Sequence, residues 1–397
     1  MSTYKYSVYN SAKRRPVRGG NRGGAGKRRG EYIDPRKFVQ EARPRAEVEY
    51  TAVHRFRDFA VDEQIHANLE AKGFEFPSAI QDQTIPLGLA GRDIIGIANT
   101  GTGKTAAFAV PVIQSLITHQ NSRALIVAPT RELAQQIDEE CRSIGKGTGL
   151  RGAILIGGAN MSPQVRDLRA NPRIVIGTPG RIKDHMERGN LKLENFNIVV
   201  LDEVDRMLDM GFLPDVSFIL DKVAKPRQSF FFSATMDRKV EALIQQFSNN
   251  PETVSVKSGD SSDNVHQNVI EYVTPNDRLA KLHDLLLQND VTKAIIFDET
   301  QRNVERLSTE LIARGFSADA IHGGKSQGQR QRALDNFKKN RTTILVATDV
   351  AARGIDVADI SHVINFSQPM TYDDYVHRIG RAGRAGKVGH ALTFVTK

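Results

Sequence analysis

The sequence predicts an α/β protein of two tandem, doubly wound parallel-sheet domains. Two observations carry this. From about residue 50, short apolar runs recur, each followed by a polar or Gly-containing turn and then a stretch with helical period. The pattern breaks once, at the polar stretch Ser258 to Asn264, and then restarts. Strands buried on both faces read as near-continuous apolar runs, and alternation with helices covers both sides of a parallel sheet.

In the first half the predicted strands are Ile94–Ile97, Ala124–Ala128, Ile154–Ile156, Ile174–Ile176, Ile198–Leu201 and Phe230–Phe232. In the second they are Ala294–Phe297, Ala318–Ile321, Thr343–Ala347, His362–Ile364 and Ala391–Val395. This places one domain at 50–257, a linker at 258–264 and a second domain at 265–397. No apolar run approaches the roughly 20 residues of a bilayer span, so no membrane contact is expected. No apolar h-region follows the basic N-terminus, which argues against a secretory signal. A cytoplasmic location follows from these missing addresses. The single cysteine, Cys141, excludes an internal disulfide. It follows Leu133 and Ile137 at four-residue spacing, which reads as a buried core thiol.

The formal charge of +9 is concentrated at one end. Nine of the 55 Lys and Arg residues lie within residues 1–30 with no acid, so the remaining basic side chains equal the 46 acidic ones. Arg18-Gly19-Gly20 and Arg22-Gly23-Gly24 lie in the same stretch. Such a composition buries too little apolar surface to offset its ordering entropy, so residues 1–49 read as a disordered basic tail. The tail suits RNA phosphates, with Arg stacking on bases. A solubilising tail or a nuclear-import signal are the alternatives.

The sharpest chemical signal is Ala98-Asn99-Thr100-Gly101-Thr102-Gly103-Lys104-Thr105, between an apolar strand and a helical stretch beginning at Ala106. This is the context of a phosphate-binding P-loop. Thr100, Gly101, Thr102 and Gly103 wrap an anion with backbone amides, aided by the helix dipole. Lys104 reaches the β- and γ-phosphates of ATP, and Thr105 offers a hydroxyl to Mg²⁺. Ala98 stands where the first glycine is usual. The required acid follows the strand Ile198–Leu201 as Asp202-Glu203. Asp202 would hold Mg²⁺ through water, and Glu203 would orient and deprotonate the attacking water.

With Asp202-Glu203-Val204-Asp205 the sequence resembles the DEAD-box RNA helicases, with DEVD in place of DEAD, from about Phe56 to the C-terminus. The resemblance implies two RecA-like domains, ATP and Mg²⁺ as cofactors, and ATP-dependent remodelling of RNA. Gly73-Phe74 to Ile80-Gln81 is similar to the family's Q-motif, which implies that Gln81 reads the adenine edge while Phe56 or Phe74 packs on its ring. Pro129-Thr130-Arg131, Gly157-Gly158 and Thr178-Pro179-Gly180-Arg181 resemble RNA-contacting elements, each at a strand end. Ser233-Ala234-Thr235 resembles the motif that couples hydrolysis to RNA rearrangement through Asp205.

In the second domain, Ala347 to Asp356 resembles motif V, implying that Thr348 contacts RNA and that Gly354 and Asp356 contact the nucleotide. His377 to Arg384 resembles motif VI. By resemblance, Arg381 and Arg384 act as arginine fingers, His377 and Arg378 couple the domains, and Arg378 pairs with the Asp202–Asp205 region. His322-Gly323-Gly324 and Gln327 to Arg330 resemble a further family segment. Val204 adds two methyl groups where the family has alanine, and overpacking costs about 1–3 kcal/mol, so activity is expected to survive. The implied mechanism is a clamp closing on ATP and RNA, single-stranded or in short duplex, without sequence preference. It needs one monomer and leaves room for ribonucleoprotein partners. An RNA clamp or annealing factor without unwinding, a DNA-directed ATPase and an inactive RNA-binding scaffold are the alternatives.

Overall fold

The computed structural model describes residues 33–42, 50–99, 101–256, 264–352, 357, 359–383 and 388–397. The first sheet has seven parallel strands: β1 (Ile94–Ile97), β2 (Ala124–Val127), β3 (Gly152–Leu155), β4 (Ile174–Gly177), β5 (Ile198–Leu201), β6 (Gln228–Ser233) and β7 (Glu252–Ser255), in the spatial order β3-β4-β2-β5-β6-β1-β7. The second has six: β8 (Val265–Tyr272), β9 (Ala294–Phe297), β10 (Ala318–Ile321), β11 (Ile344–Ala347), β12 (His362–Asn365) and β13 (Gly389–Thr396), in the order β10-β11-β9-β12-β13-β8. Helices cover both faces of each sheet, as the doubly wound α/β reading requires.

Successive strand residues point to opposite faces, and Phe230, Phe231 and Phe232 show the consequence. Phe230 and Phe232 pack with Phe108 and Ile113 beneath the helix Lys104–Thr118, while Phe231 joins Val199, Leu201, Val204 and Met207 on the other side. The second sheet divides likewise, with Ile295 and Leu345 on one face and Ile296 and Val346 on the other. Cys141 is buried on the helix Arg131–Ile144. Among the described residues no helix is long and apolar enough to cross a membrane.

Three differences from the sequence reading have physical causes. The run read as Ile154–Ile156 is a strand at Gly152–Leu155, because its ladder partner β4 aligns Gly152 with Ile174. The helix read from Ala106 begins at Lys104, with Gly103 as its left-handed cap. Strands β7 and β8 lie at sheet edges, where one side of the ladder is open, and their polar residues gave no apolar run.

The expectation of a disordered tail through residue 49 fails at residues 33–42, which dock on the second domain. Asp34 caps a short turn, Pro35–Phe38, by accepting from the Arg36 amide at 3.0 Å. Phe38 is wholly buried, its ring 4.7 Å from that of Tyr375. Gln40 exchanges two backbone hydrogen bonds with Gln267 of β8, at 3.0 and 2.8 Å. Average composition hid this: Ile33 and Phe38 find their apolar partners more than two hundred residues away in sequence. Residues 1–32, 43–49 and the linker segment 257–263 lie outside the described residues.

Candidate functional site

Every motif read on the first domain sits at the carboxyl edge of its sheet, and strand order sorts them. Gly157-Gly158, Thr178-Pro179 and Pro129-Thr130-Arg131 follow the neighbouring strands β3, β4 and β2. Asp202-Glu203, Ser233-Ala234-Thr235 and the P-loop are at the ends of the next three, β5, β6 and β1. One half of the edge therefore gathers the candidate RNA elements and the other the phosphate elements. This is where ligands lie in open α/β sheets.

On the phosphate half, Gly101 and Gly103 take φ of +88° and +90°, conformations that favour glycine. A Cβ on Gly103 would lie 2.4 Å from Gln81 Nε2. Gln81 is buried and spans two structures: its Nε2 donates to Gly103 O at 3.1 Å, and its Oε1 accepts from Ser78 N at 2.8 Å. Ser78 Oγ donates to Thr102 O at 2.7 Å. The Q-motif helix thus holds the P-loop by two hydrogen bonds, and two of the four bonding positions of the Gln81 amide remain for a ligand. Phe56 is buried and stacks under Phe74, centroids 5.2 Å apart at 16°, so of these two rings it is Phe74 that keeps exposed surface. Lys104 Nζ donates to Ala98 O at 2.9 Å within the loop, and Thr105 beside it is partly exposed.

The acids are buried beside that lysine. Burial raises the Asp202 carboxyl to about 6, against the opposing pull of Lys104. Burial also works against the Glu203 carboxylate, but Arg206, with Lys104 and Arg381, outweighs it and holds Glu203 below its usual range. Arg206 Nη1 donates to Glu203 Oε2 at 2.6 Å. Glu203 itself has φ +56°, a strained backbone for a non-glycine residue of the kind concentrated at functional sites. Val204 is fully buried among Val199, Leu201 and Met207. Asp205 Oδ2 accepts from Ala234 N at 3.0 Å, Thr235 N at 2.9 Å and Thr235 Oγ1 at 3.1 Å, while Asp205 N donates to Ser233 Oγ at 3.3 Å.

On the other half, Arg131 lies over the turn Gly157–Gly158. Gly158 has φ +72°, and a Cβ there would sit 2.1 Å from Arg131 Nη1. Thr130 Oγ1 caps its helix by accepting from Leu133 N at 3.3 Å. Arg181, on the helix that Pro179 opens, donates to Ala159 O at 3.2 Å. The second domain meets this half directly. Gln327 Nε2 donates to Gln135 Oε1 at 2.8 Å, and Arg330 Nη2 lies 2.7 Å from Glu132 Oε1, with both of those charged side chains buried. Burial raises the Glu132 carboxyl despite Arg330. Thr348, buried, ends the turn after β11.

Comparison with known proteins decides the family. Residues 78–243 match the DEAD/DEAH box helicase model and residues 277–386 the helicase conserved C-terminal domain. The chain is 44% identical over 343 residues to the DEAD-box ATP-dependent RNA helicase CshA of Bacillus licheniformis, covering 86% of this chain and 70% of that protein. The chain belongs to the DEAD-box RNA helicase family. The ATP-dependent RNA helicase CshA of Listeria monocytogenes is also 44% identical, with 66% of its length covered. Among solved structures, S. cerevisiae Dbp5 bound to RNA and ADP BeF3 has a TM-score of 0.75 at 29% identity, covering 86% of this chain and 90% of that one. Mss116p bound to ssRNA and AMP-PNP has 0.76 at 30% identity, covering 87% and 76%. A DEAD box protein from Methanococcus jannaschii, at 40% identity and coverage of 86% and 93%, has only 0.51.

One residue of this helicase is paired differently from the expectation. Arg378 does not reach Asp202–Asp205. Its Nη2 donates to Asp349 Oδ2 at 2.7 Å, its Nε to Asp349 Oδ1, and its Nη1 to Asn365 Oδ1 and Ser367 O. Four of the five guanidinium N–H groups are bonded, and the side chain is buried within its own domain, which commits it there and not to the facing acids. His377 is partly buried on the same helix, Tyr372–Ile379. Arg381 is buried and near enough to Glu203 to act on its charge. Thr100, Gly354, Asp356 and Arg384 lie outside the described residues.

Sequence reasoning passed over two groups in this DEAD-box chain. Asp82, next to Gln81, accepts from Tyr50 Oη and Val53 N, each at 2.7 Å, and meets His54 Nδ1 at 2.6 Å, which fixes the segment leading to Phe56. Glu132 directly follows Arg131, and the groups that surround it when buried, Arg330 and Gln327, are far along the sequence.

Proposed function

We propose that the protein is an RNA-dependent ATPase that binds single-stranded RNA and locally unwinds or remodels RNA duplexes as its two domains close over ATP and RNA. The observation that carries this reading is the buried pair Glu132–Arg330, which joins a candidate RNA element of the first domain to the second domain. Arg381 beside Glu203 points the same way on the phosphate half of the edge. The higher TM-scores to two RNA- and nucleotide-bound relatives, at lower identity than the Methanococcus protein, support a closed arrangement of the sheets.

The residues divide the work. The backbone at Gly101–Gly103 and the Lys104 ammonium hold the phosphates, while Gln81 and Phe74 hold the base. The oxygen donors Thr105 and Asp202, packed beside Lys104, fit a hard divalent cation. Bound there, Mg²⁺ would neutralise charge on the phosphate oxygens. Glu203, kept ionised by Arg206, orients the attacking water and takes its proton. Arg381, with Arg384, supplies positive charge to the γ-phosphoryl only when the domains meet. Asp205, through Ser233–Thr235, passes the state of the phosphate site to the neighbouring strands. Arg131, Gly157, Gly158, Thr178, Pro179, Arg181 and Thr348 line the proposed RNA track, where contacts go to phosphate and sugar.

Steady-state ATP hydrolysis by the purified protein, alone, with single-stranded RNA and with single-stranded DNA, tests the reading. Stimulation by RNA only is expected. Hydrolysis indifferent to RNA, or none while RNA is still bound, would overturn it. Strand displacement on a short RNA duplex then separates unwinding from clamping or annealing.

A further inference from the structure

The second sheet carries a row of imidazoles where three neighbouring strands begin. His362 opens β12, His390 is near the start of β13, and His266 is near the start of β8. Parallel register sets His362 beside His390 and His390 beside His266. Registered neighbours project to the same face of a sheet, one strand spacing apart. The rings accordingly stack, with centroids 4.7 Å apart for His362 and His390 and 5.4 Å apart for His390 and His266. Asp290, in the turn before β9, adds a carboxylate. One ligand atom each from Asp290, His362 and His390 lies within 4.8 Å of the others.

His362 and His390 keep nitrogens for a ligand. Ser361 Oγ accepts from Thr292 N and Lys293 N, at 3.1 and 3.0 Å, and holds the His362 ring through Nδ1 at 3.1 Å. Among the described residues His362 Nε2 has no hydrogen-bond partner, and it is the nitrogen open to a ligand. Among the described residues, neither ring nitrogen of His390 has a hydrogen-bond partner. A buried imidazole stays neutral, the form that binds metal. The row faces an open cavity of about 680 Å³, walled on one side by Val39, Gln40 and Glu41 of the docked N-terminal segment.

We propose that His362, His390 and Asp290 form a structural site for a divalent first-row transition ion, with Zn²⁺ its simplest occupant. Two imidazoles and a carboxylate suit such an ion at about 2.0–2.2 Å, once side-chain rotation turns their ligand atoms toward a common point. His266 is a neighbour and not a ligand, because its Nδ1 accepts from the Ala42 amide at 3.1 Å and its proton is therefore on Nε2. The fourth position is left to water or to Glu41. The ion ties β12, β13 and the Asp290 turn together where the N-terminal segment docks. The helix that leads to Arg381 packs on the other face of the sheet, with Val265, Ala382 and Ala391, and Thr348 follows the far end of β11, so the ion stabilises the domain and takes no part in hydrolysis.

The test is a titration of the tag-free, full-length protein with Co²⁺, followed by its visible absorption, then competition with Zn²⁺ and thermal melting with and without Zn²⁺. One Co²⁺ per chain is expected, displaced by Zn²⁺, with Zn²⁺ raising Tm. Asp290→Asn and His390→Gln should each weaken binding by about tenfold or more, while RNA-stimulated hydrolysis in Mg²⁺ is unchanged. Asp290 is exposed, so Asp290→Asn folds and decides the matter alone if His390→Gln does not. Absence of a Co²⁺ band, or a band unchanged in Asp290→Asn, would overturn the proposal.

Discussion

Replacing Arg330 with methionine should uncouple RNA from ATP hydrolysis without touching the nucleotide site. Arg330 lies 2.7 Å from Glu132, with their side chains 7% and 1% exposed. Removing one member of a buried pair strands the other charge and costs about 3–5 kcal/mol. At about 1.4 kcal/mol per factor of ten, closure becomes roughly a hundred- to a few-thousand-fold less favourable. If hydrolysis requires closure, kcat/KM for RNA in the ATPase assay falls by a similar factor. Affinity for a fluorescent ATP analogue without RNA stays the same, because Lys104, Gln81 and Phe74 lie on the first domain. Burial already outweighs Arg330 in setting the Glu132 carboxyl, so the pair is weak glue and closure depends on its ligands. The double variant Glu132→Gln, Arg330→Met removes both charges and should recover at least about tenfold relative to Arg330→Met. A kcat/KM within threefold of the parent would refute the reasoning, as would a loss of nucleotide affinity in the absence of RNA.

Glu203→Gln should abolish hydrolysis while preserving RNA binding in the presence of ATP, measured by polarisation of a labelled RNA. Closure should take up protons at Glu132, whose carboxyl is raised by burial against the opposing pull of Arg330. Its contribution is greatest below that raised pKa and declines as pH climbs through it. RNA affinity with a non-hydrolysable ATP analogue should therefore fall with rising pH, and Glu132→Gln should flatten the dependence. Phe38→Ala empties a wholly buried site against Tyr375 and should destabilise the second domain by about 3–5 kcal/mol; a denaturant melt with an unshifted midpoint would contradict the docked segment. Cys141 is buried, and burial, with Asp138 and Glu140, pushes its thiol well up. It should resist thiol reagents in the native protein and take one label per chain on unfolding.

The central strands were legible because they are buried on both faces. Ile198–Leu201 and Ala294–Phe297 have no exposed residue to interrupt the run. Edge strands lose that signature: the exposed Thr253 and Ser255 of β7 alternate with a buried Val254, and four residues of such mixed character look like a turn. The P-loop and the acids after β5 were legible because their chemistry is local, carried by consecutive residues at one strand end. The partner of Arg378 was not, since Asp349 and the Asp202–Asp205 acids are equally plausible mates for a guanidinium until burial chooses. Glu132–Arg330 and Phe38–Tyr375 failed to register for the same reason. Each joins residues distant in sequence, and neither partner alone carries a pattern that names the other.

The docking of residues 33–42 changes what counts as a domain in this chain. The second domain is discontinuous: a fragment starting at Val265 would lack Phe38 and Ile33 and expose the socket beside Tyr375. The polypeptide also crosses between the two lobes twice, through 43–49 and through 257–263. Each crossing covers eight Cα steps, a reach of at most about 29 Å. The opening and closing proposed for the lobes is therefore limited by two connections of that reach. The basic residues 1–30 lead into the segment docked on the lobe that bears Arg381, so the charge of that tail is anchored to the second domain.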